Sequence, residues 1–571
     1  MQIDAAWLDA ATGRVPVDLL LKNARLVNVF SGQVQEAHIG VHMGRFVGPG
    51  THRAKRILDL KGRYLSPGFI DGHCHLESTM LSPREFARAT LPRGTTAVVA
   101  DPHEIANVMG LEGIRWLREA CRGVPFRFYF TLPSCVPATR LETSGASLEA
   151  DDLSLLSGEP WVAGLGEMMN FPGVIQGDLG VLGKLNRLGG RTVDGHAPGL
   201  SGAALNAYIS CGIGSDHECT DLTEAREKLD RGMRIMIREG STARNLATLL
   251  PLVNERTCGR CLLVTDDRTP EELLRRGHLD TVLAQAVDLG LDPILAIRMV
   301  TLNPAEYFGL RELGAVAPGR WADAVVMDSI RPPNPVMTLV GGQVVWRQGE
   351  GLRGFGRDRA PDAAPSFHVA PLTPEAFRIP ARSGRIRVME RVPGQILTRQ
   401  RRERPLVRSG AVESDPSRDI LKIAVVERHR ASGRVGLGFV RGFGLTRGAL
   451  ASSVAHDAHN VIAVGVRDEE LLRAVGAVCA MGGGIAVVEG ARVTSRLPLP
   501  VAGLISLWRL ERVARAHQEA RDAAARLGCT LEDPFMALSF LALPVIPELK
   551  LTDRGLVDVG SFSLVGLFDG G

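Results

Sequence analysis

His73 and His75 stand two residues apart at the end of an apolar run, within "PGFIDGHCHLESTML" from Pro67 to Leu81, and Asp71 and Glu77 flank them. A β-strand repeats every two residues, so both imidazoles would leave one face while Cys74 points away. Two neutral imidazoles on one face can hold a divalent ion. A loop that is simply rich in polar residues is the alternative. Further along, Asp101 and His103 ("ADPHE"), Glu167 ("GLGEMMN"), His196 ("VDGHAPG"), His217 and Glu218 ("GSDHE") and Asp266 and Asp267 ("VTDD") each follow another apolar run. A lone strand-end histidine is usually a hydrogen-bonded loop residue. An ordered series of them, with carboxylates interleaved, points to a metal centre. His73 and His75 would hold one ion, and two further histidines with carboxylates a second, Glu167 being the natural bridge. Mixed imidazole and carboxylate ligation suits Zn, Mn or Fe(II) better than Ca or Mg. Asp71 lies deeper in its strand and reads as structural. Glu77 lies just past the strand, where it could face solvent, and Glu218 or Asp267 could serve only to orient a ligand.

Such a set needs a scaffold that presents strand ends to one side. Between residues 66 and 312, eight strand-like runs ("GFIDGHCH", "TTAVVAD", "FRFYFTLPS", "WVAGLGE", "RTVDGHA", "CGIGSDHE", "RIMIREG" and "CLLVTDD") alternate with helical stretches. That alternation argues for an α/β fold with a parallel sheet, and its length and count for a TIM-like (β/α)8 barrel, whose reactive side chains sit at the C-terminal strand ends. Short alternating β segments flank it, so residues 1–65 and 313–350 are expected to build one small β subdomain. Residues 351–418, rich in Gly, Arg, Pro and Asp, read as a linker or irregular region, and residues 419–571 as a C-terminal α+β domain.

The 571 residues carry a formal net charge of +4, near neutral for this length, which argues against a nucleic-acid partner. No apolar run approaches the ~18 residues needed to cross a membrane, and the N-terminal stretch does not read as a signal peptide. Nine cysteines without a secretion signal suggest free thiols in a reducing cytoplasm. The lone "CGRC" at Cys258 to Cys261 reads as buried small residues rather than a zinc or redox site.

The phrases "DGHCHLESTMLSP", "TTAVVADPHEIANVMG", "GLGEMMNFPGVI", "DGHAPGLSG", "SDHECT" and "TDDRTPEELLRRGHLD", with "DPFMALSFLALPVIPELKLTDRGLVDV" near the C-terminus, resemble the amidohydrolase superfamily and, within it, the bacterial adenine deaminases. The resemblance spans nearly the whole chain outside about 350–415. It implies a binuclear centre ligated by His73, His75, Glu167, His196, His217 and Asp266, with Glu167 where many amidohydrolases carry a carboxylated lysine. It favours Mn(II) or Fe(II) over Zn(II). The implied reaction is hydrolysis of adenine to hypoxanthine and ammonia, as in purine salvage. Two metals make a nucleophile of water at neutral pH. Asp266 would take its proton and pass it to the leaving amine. Glu218 or Glu77 would protonate ring N1, and Asp267, His103 and His456 would contact the substrate. A deaminase of N6-substituted adenine, or a cyclic-amide hydrolase on the same metals, is the competing activity. Association into a homo-oligomer is also expected. In the C-terminal part, "SSVAHDAHN" places His456, Asp457 and His459 together, either as an ordinary loop or as a cover closing the purine site.

Overall fold

The computed structural model describes residues 5–188, 190–356, 360–393 and 395–569. Its centre is a set of eight parallel strands: β1 (Phe69–Cys74), β2 (Thr95–Ala100), β3 (Arg127–Leu132), β4 (Val162–Met168), β5 (Thr192–Gly195), β6 (Ser215–Asp216), β7 (Arg234–Arg238) and β8 (Cys261–Val264). Every residue of β1, β2 and β4 is buried, as expected of parallel strands covered on both faces. The strands form a five-stranded sheet, β5-β4-β3-β2-β1, and a three-stranded sheet, β6-β7-β8. Two backbone links join the sheets. Just before β6, the Gly214 N–H donates to the Val193 carbonyl at 2.9 Å. At the other side Cys74 pairs with Asp266 in an isolated parallel bridge, and the Asp266 N–H donates to the His73 carbonyl at 3.0 Å.

A separate nine-stranded sheet is assembled from both flanks of this core, strand Tyr64–Pro67 pairing antiparallel with Ala324–Ile330. A second nine-stranded sheet lies in the C-terminal part, with helix Asp468–Ala480 packed against it. The expected irregular stretch 351–418 needs correction. It contains strands Arg385–Arg391 and Thr398–Glu403, which pair with each other, and the first also pairs with Val435–Arg441 of the C-terminal sheet. The signal is hidden because Thr398–Glu403 is an edge strand with a mostly exposed face. Its run of arginines reads as solvated coil although the backbone is fully paired on one side.

The C-terminal part is bolted onto the core. The Asp553 carboxylate accepts from the Thr143 N–H (2.8 Å) and hydroxyl (2.7 Å), in the segment after β3. Charge-assisted bonds of this kind contribute about 1.5–3 kcal/mol. Helix Leu510–Arg526 adds two more ties: its Leu510 N–H donates to Glu85 at 3.0 Å, and His517 lies 2.6 Å from the Glu271 carboxylate. Cys258 and Cys261 are buried free thiols. Among the described residues no helix is long and apolar enough to cross a membrane.

Candidate active site

Nearly every strand of the core delivers a polar side chain to one end. His73 is the last but one residue of β1 and His75 follows it; His103 opens helix His103–Met109 after β2; Glu167 is the last but one residue of β4; His196, His217 and Asp266 follow β5, β6 and β8; Arg238 ends β7. All are buried. Asp71 sits lower in β1 and is structural: its Oδ2 accepts from the Thr265 hydroxyl at 2.5 Å and lies 3.2 Å from His278. Two backbone features aim the carboxylates. Gly166 has no side chain, and a Cβ there would meet Asp101 Oδ2 at 2.0 Å. The glycine lets Asp101 reach across from β2 and accept the Glu167 N–H at 2.8 Å. Asp266 adopts φ +55°, a left-handed conformation uncommon outside glycine that persists only where surroundings enforce it. Here the pairing with β1 does so.

The side chains form two groups around Glu167. His73 Nε2 and His75 Nε2 lie 3.6 and 3.2 Å from Asp266 Oδ1, and His75 Nε2 lies 3.5 Å from Glu167 Oε1. On the other oxygen, Glu167 Oε2 is 2.5 Å from His196 Nδ1 and 3.2 Å from His217 Nε2. The donor atoms of His73, His75 and Asp266 lie within metal-ligand spacing of one another, as do those of His73, Glu167 and His217. His75 Nδ1 faces the Asp101 carbonyl at 3.1 Å. Donation there leaves the Nε2 lone pair facing inward, which is how a ligand's tautomer is usually set. His73 Nε2 is buried with no hydrogen-bond partner. Burial raises the pKa of Glu167, yet the His196 and His217 imidazoles outweigh it and hold the carboxyl well below its usual range. Asp266 follows the same balance, with His73, His75 and Arg238 prevailing over burial.

A cavity of about 50 Å³ lies over these groups, lined from the core by His103, Glu104, Met169, Glu218, Arg238 and Asp267 among others. The C-terminal part closes it with His456, Asp457, Phe540, Leu543 and Ile546, joined by Ile396. The His456 ring stacks on Phe540 with centroids 4.6 Å apart. The loop 456–459 thus covers the site rather than standing apart from it.

Two expected roles change. Glu77 does not face solvent: it is 1% exposed, accepts the Ile105 N–H at 3.1 Å, and is absent from the cavity lining. Burial, then the neighbouring Glu104 charge, lift its pKa to about 7. Glu218 lines the cavity, but both its oxygens are taken by Arg238, Nη2 reaching Oε2 at 2.8 Å and Nη1 gripping Oε1. With both oxygens held by Arg238, Glu218 presents neither of them free to a purine. Asp267 lines the cavity, accepts the Ser78 hydroxyl at 2.5 Å, and is pushed up to about 6 by burial and by Asp266 beside it.

Arg238 is the residue that sequence reasoning passes over. It binds Glu218 and also donates to Asp266 Oδ2 at 2.9 Å. Its signal was its place: it is the polar end of "RIMIREG", a recognised strand, but arginine is not a metal ligand. Glu104, one residue past His103, also lines the cavity. Phe540, Leu543 and Ile546 carry no local signal, being apolar residues in an otherwise apolar segment, and Ile396 carries none, lying in an arginine-rich stretch.

Two family models match the chain: the amidohydrolase family over residues 64–345, and the adenine deaminase C-terminal domain over residues 395–563. A protein of Desulfatibacillum aliphaticivorans named adenine deaminase is 50% identical over 569 residues, covering 99% of this chain and 100% of its own. The chain belongs to the adenine deaminase family. A second member, an adenine deaminase of Methanothrix thermoacetophila, is 50% identical over 561 residues, covering 98% of each chain. The two regions matched by the family models meet at the cavity: the first supplies the histidine and carboxylate cluster, the second Ile396, His456, Asp457 and Phe540.

Proposed function

We propose that this chain hydrolyses adenine at C6 to hypoxanthine and ammonia, at a centre of two divalent metal ions. The observation that carries this is the position of Glu167, with two histidine-rich groups on its opposite oxygens. His73, His75 and Asp266 with Glu167 Oε1 would hold one ion; His196 and His217 with Glu167 Oε2 would hold the other. The buried, unpartnered His73 Nε2 and the inward Nε2 of His75 fit such ions. The mixed imidazole and carboxylate donor set suits Zn, Mn or Fe(II); among these, Mn(II) or Fe(II) is our assignment from the family resemblance. When bound, the ions supply a strong nucleophile from water at neutral pH.

The chain's own groups do the rest. Asp266 takes the proton from attacking water and returns it to the leaving amine; Arg238 fixes the orientation of that carboxylate through Oδ2. His103, Asp267 and His456 face the substrate space. The apolar wall of Met169, Phe540, Leu543 and Ile546 receives the flat faces of a purine and excludes bulk water. We further infer that the eight parallel strands act as one closed (β/α)8 barrel, that the flanking sheet and the C-terminal part, beginning near residue 379, are its two accessory domains, and that the enzyme works as a homo-oligomer in the cytoplasm, in purine salvage.

The test is ammonia release from adenine by Mn(II)-loaded protein. Chelation is expected to abolish release and to lower the melting temperature, since ligand held at ~1,000-fold above its Kd stabilises by about 4 kcal/mol; Mn(II) should restore both. Methylamine from N6-methyladenine with no ammonia from adenine would assign the N6-substituted substrate instead.

A further inference from the structure

Two polar atoms at the roof of the cavity have no protein partner. His456 Nε2 and Asp457 Oδ2 are both buried and make no hydrogen bond, and both residues line the cavity. Leaving a buried polar group unpaired costs about 1–3 kcal/mol, more for a carboxylate, so the contents of the cavity are the natural partner. The His456 ring and the turn that carries both residues are held in place from behind. His456 Nδ1 lies 2.8 Å from Glu104 Oε1. Arg428, fully buried, grips the His459 carbonyl and donates to the Ala502 carbonyl at 2.8 Å, and Asn460 Nδ2 donates to the Thr143 carbonyl at 2.8 Å. The turn is a fixed platform and not a free loop.

We propose that His456 and Asp457 read the N3/N9–H edge of the purine and thereby select the free base over N9-substituted forms. The inference rests on the adenine activity proposed above. For C6 to be attacked it must face Glu167 and Asp266. The opposite edge of the ring then turns toward the covering domain. That edge carries N3, a lone-pair acceptor, beside N9–H, a donor. A donor at His456 Nε2 and an acceptor at Asp457 Oδ2, both unpaired on residues of the same turn and both lining the cavity, are its complement. Burial works against a charged His456, but the Glu104 carboxylate prevails and lifts it to about 9, so Nε2 carries a proton at neutral pH. A substituent on N9 removes the proton that Asp457 accepts and sets carbon against a buried carboxylate. Sites built to bind a substrate N–H reject analogues lacking it by about 10⁴–10⁵-fold.

The experiment compares kcat/KM for adenine, 9-methyladenine and 8-methyladenine on Mn(II)-loaded wild type and Asp457→Ala. 8-Methyladenine adds the same bulk and keeps N9–H. Wild type is expected to disfavour 9-methyladenine by about 10³-fold or more, and 8-methyladenine much less. Asp457→Ala should lose activity on adenine mainly through KM, as expected when binding common to ground and transition states is removed, and its adenine preference over 9-methyladenine should fall below tenfold. A merely structural role would lower both substrates together and leave the ratio alone. An unchanged ratio in a variant that still deaminates adenine overturns the inference. Should Asp457→Ala fail to fold, wild type decides: equal loss for the 8- and 9-methyl compounds overturns it. A wild type that deaminates adenine but ignores N9 methylation sinks this inference alone, whereas one inert on adenine sinks the proposed function with it.

Discussion

Glu167→Gln is expected to abolish measurable ammonia release from adenine and to leave the protein unable to retain its metal through gel filtration. The carboxylate touches both halves of the cluster through its two oxygens, with His75 on Oε1 and His196 and His217 on Oε2. An amide keeps the shape but offers one weakly accepting oxygen and an NH2 that points hydrogens at imidazole lone pairs. Groups that only orient a metal ligand cost about 10–100-fold in affinity when removed, and a bridging ligand should cost at least the upper figure. Metal analysis beside an activity assay checks this. A Glu167→Gln protein that keeps wild-type metal content and within tenfold of wild-type kcat would remove Glu167 from the bridging position.

Arg238→Met should carry the largest stability cost of any single change at the site. The guanidinium is buried and neutralises two carboxylates at once, taking both oxygens of Glu218 and Asp266 Oδ2. Removing one partner of a buried ion pair costs about 3–5 kcal/mol, because the charges left behind have neither water nor a counter-ion. Activity should also fall, since Asp266 loses the bond that fixes its free oxygen. Denaturant melts of Arg238→Met, Glu218→Gln and the double variant separate the terms: the double variant is expected to recover much of the stability and none of the activity. Melts of Arg238→Met within about 1 kcal/mol of wild type, the range of exposed ion pairs, would show that the pair contributes little.

The metal-type residues are legible because each obeys a local rule. A parallel strand buried on both faces reads as a continuous apolar run, and the first polar residues after it must lie at its exposed end. His73, His75, Glu167, His196, His217 and Asp266 are among the residues this rule singles out, and the family resemblance picks these six from its wider set. The rule also covers Arg238, the polar end of β7, although arginine is not a metal ligand. Glu77 shows where the rule stops. It follows β1 by three residues, and nothing nearby in sequence indicates that Ile105 and Glu104 of the next unit bury it. Glu218 shows the same limit, since its partner Arg238 is twenty positions away.

By itself the sequence determined the order of the parallel strands, the residues at their ends and the family. These depend on alternation, apolar runs and donor type, all read within a few residues. Tertiary structure alone decided which carboxylates share an arginine, that Thr398–Glu403 is an edge strand of the C-terminal sheet, and that His456, Asp457 and Phe540 roof the cavity. The physical reason is distance along the chain. The roof is set by contacts such as Asp553 with Thr143, 410 residues apart, and no local pattern encodes a contact whose two halves are each unremarkable until folding brings them together.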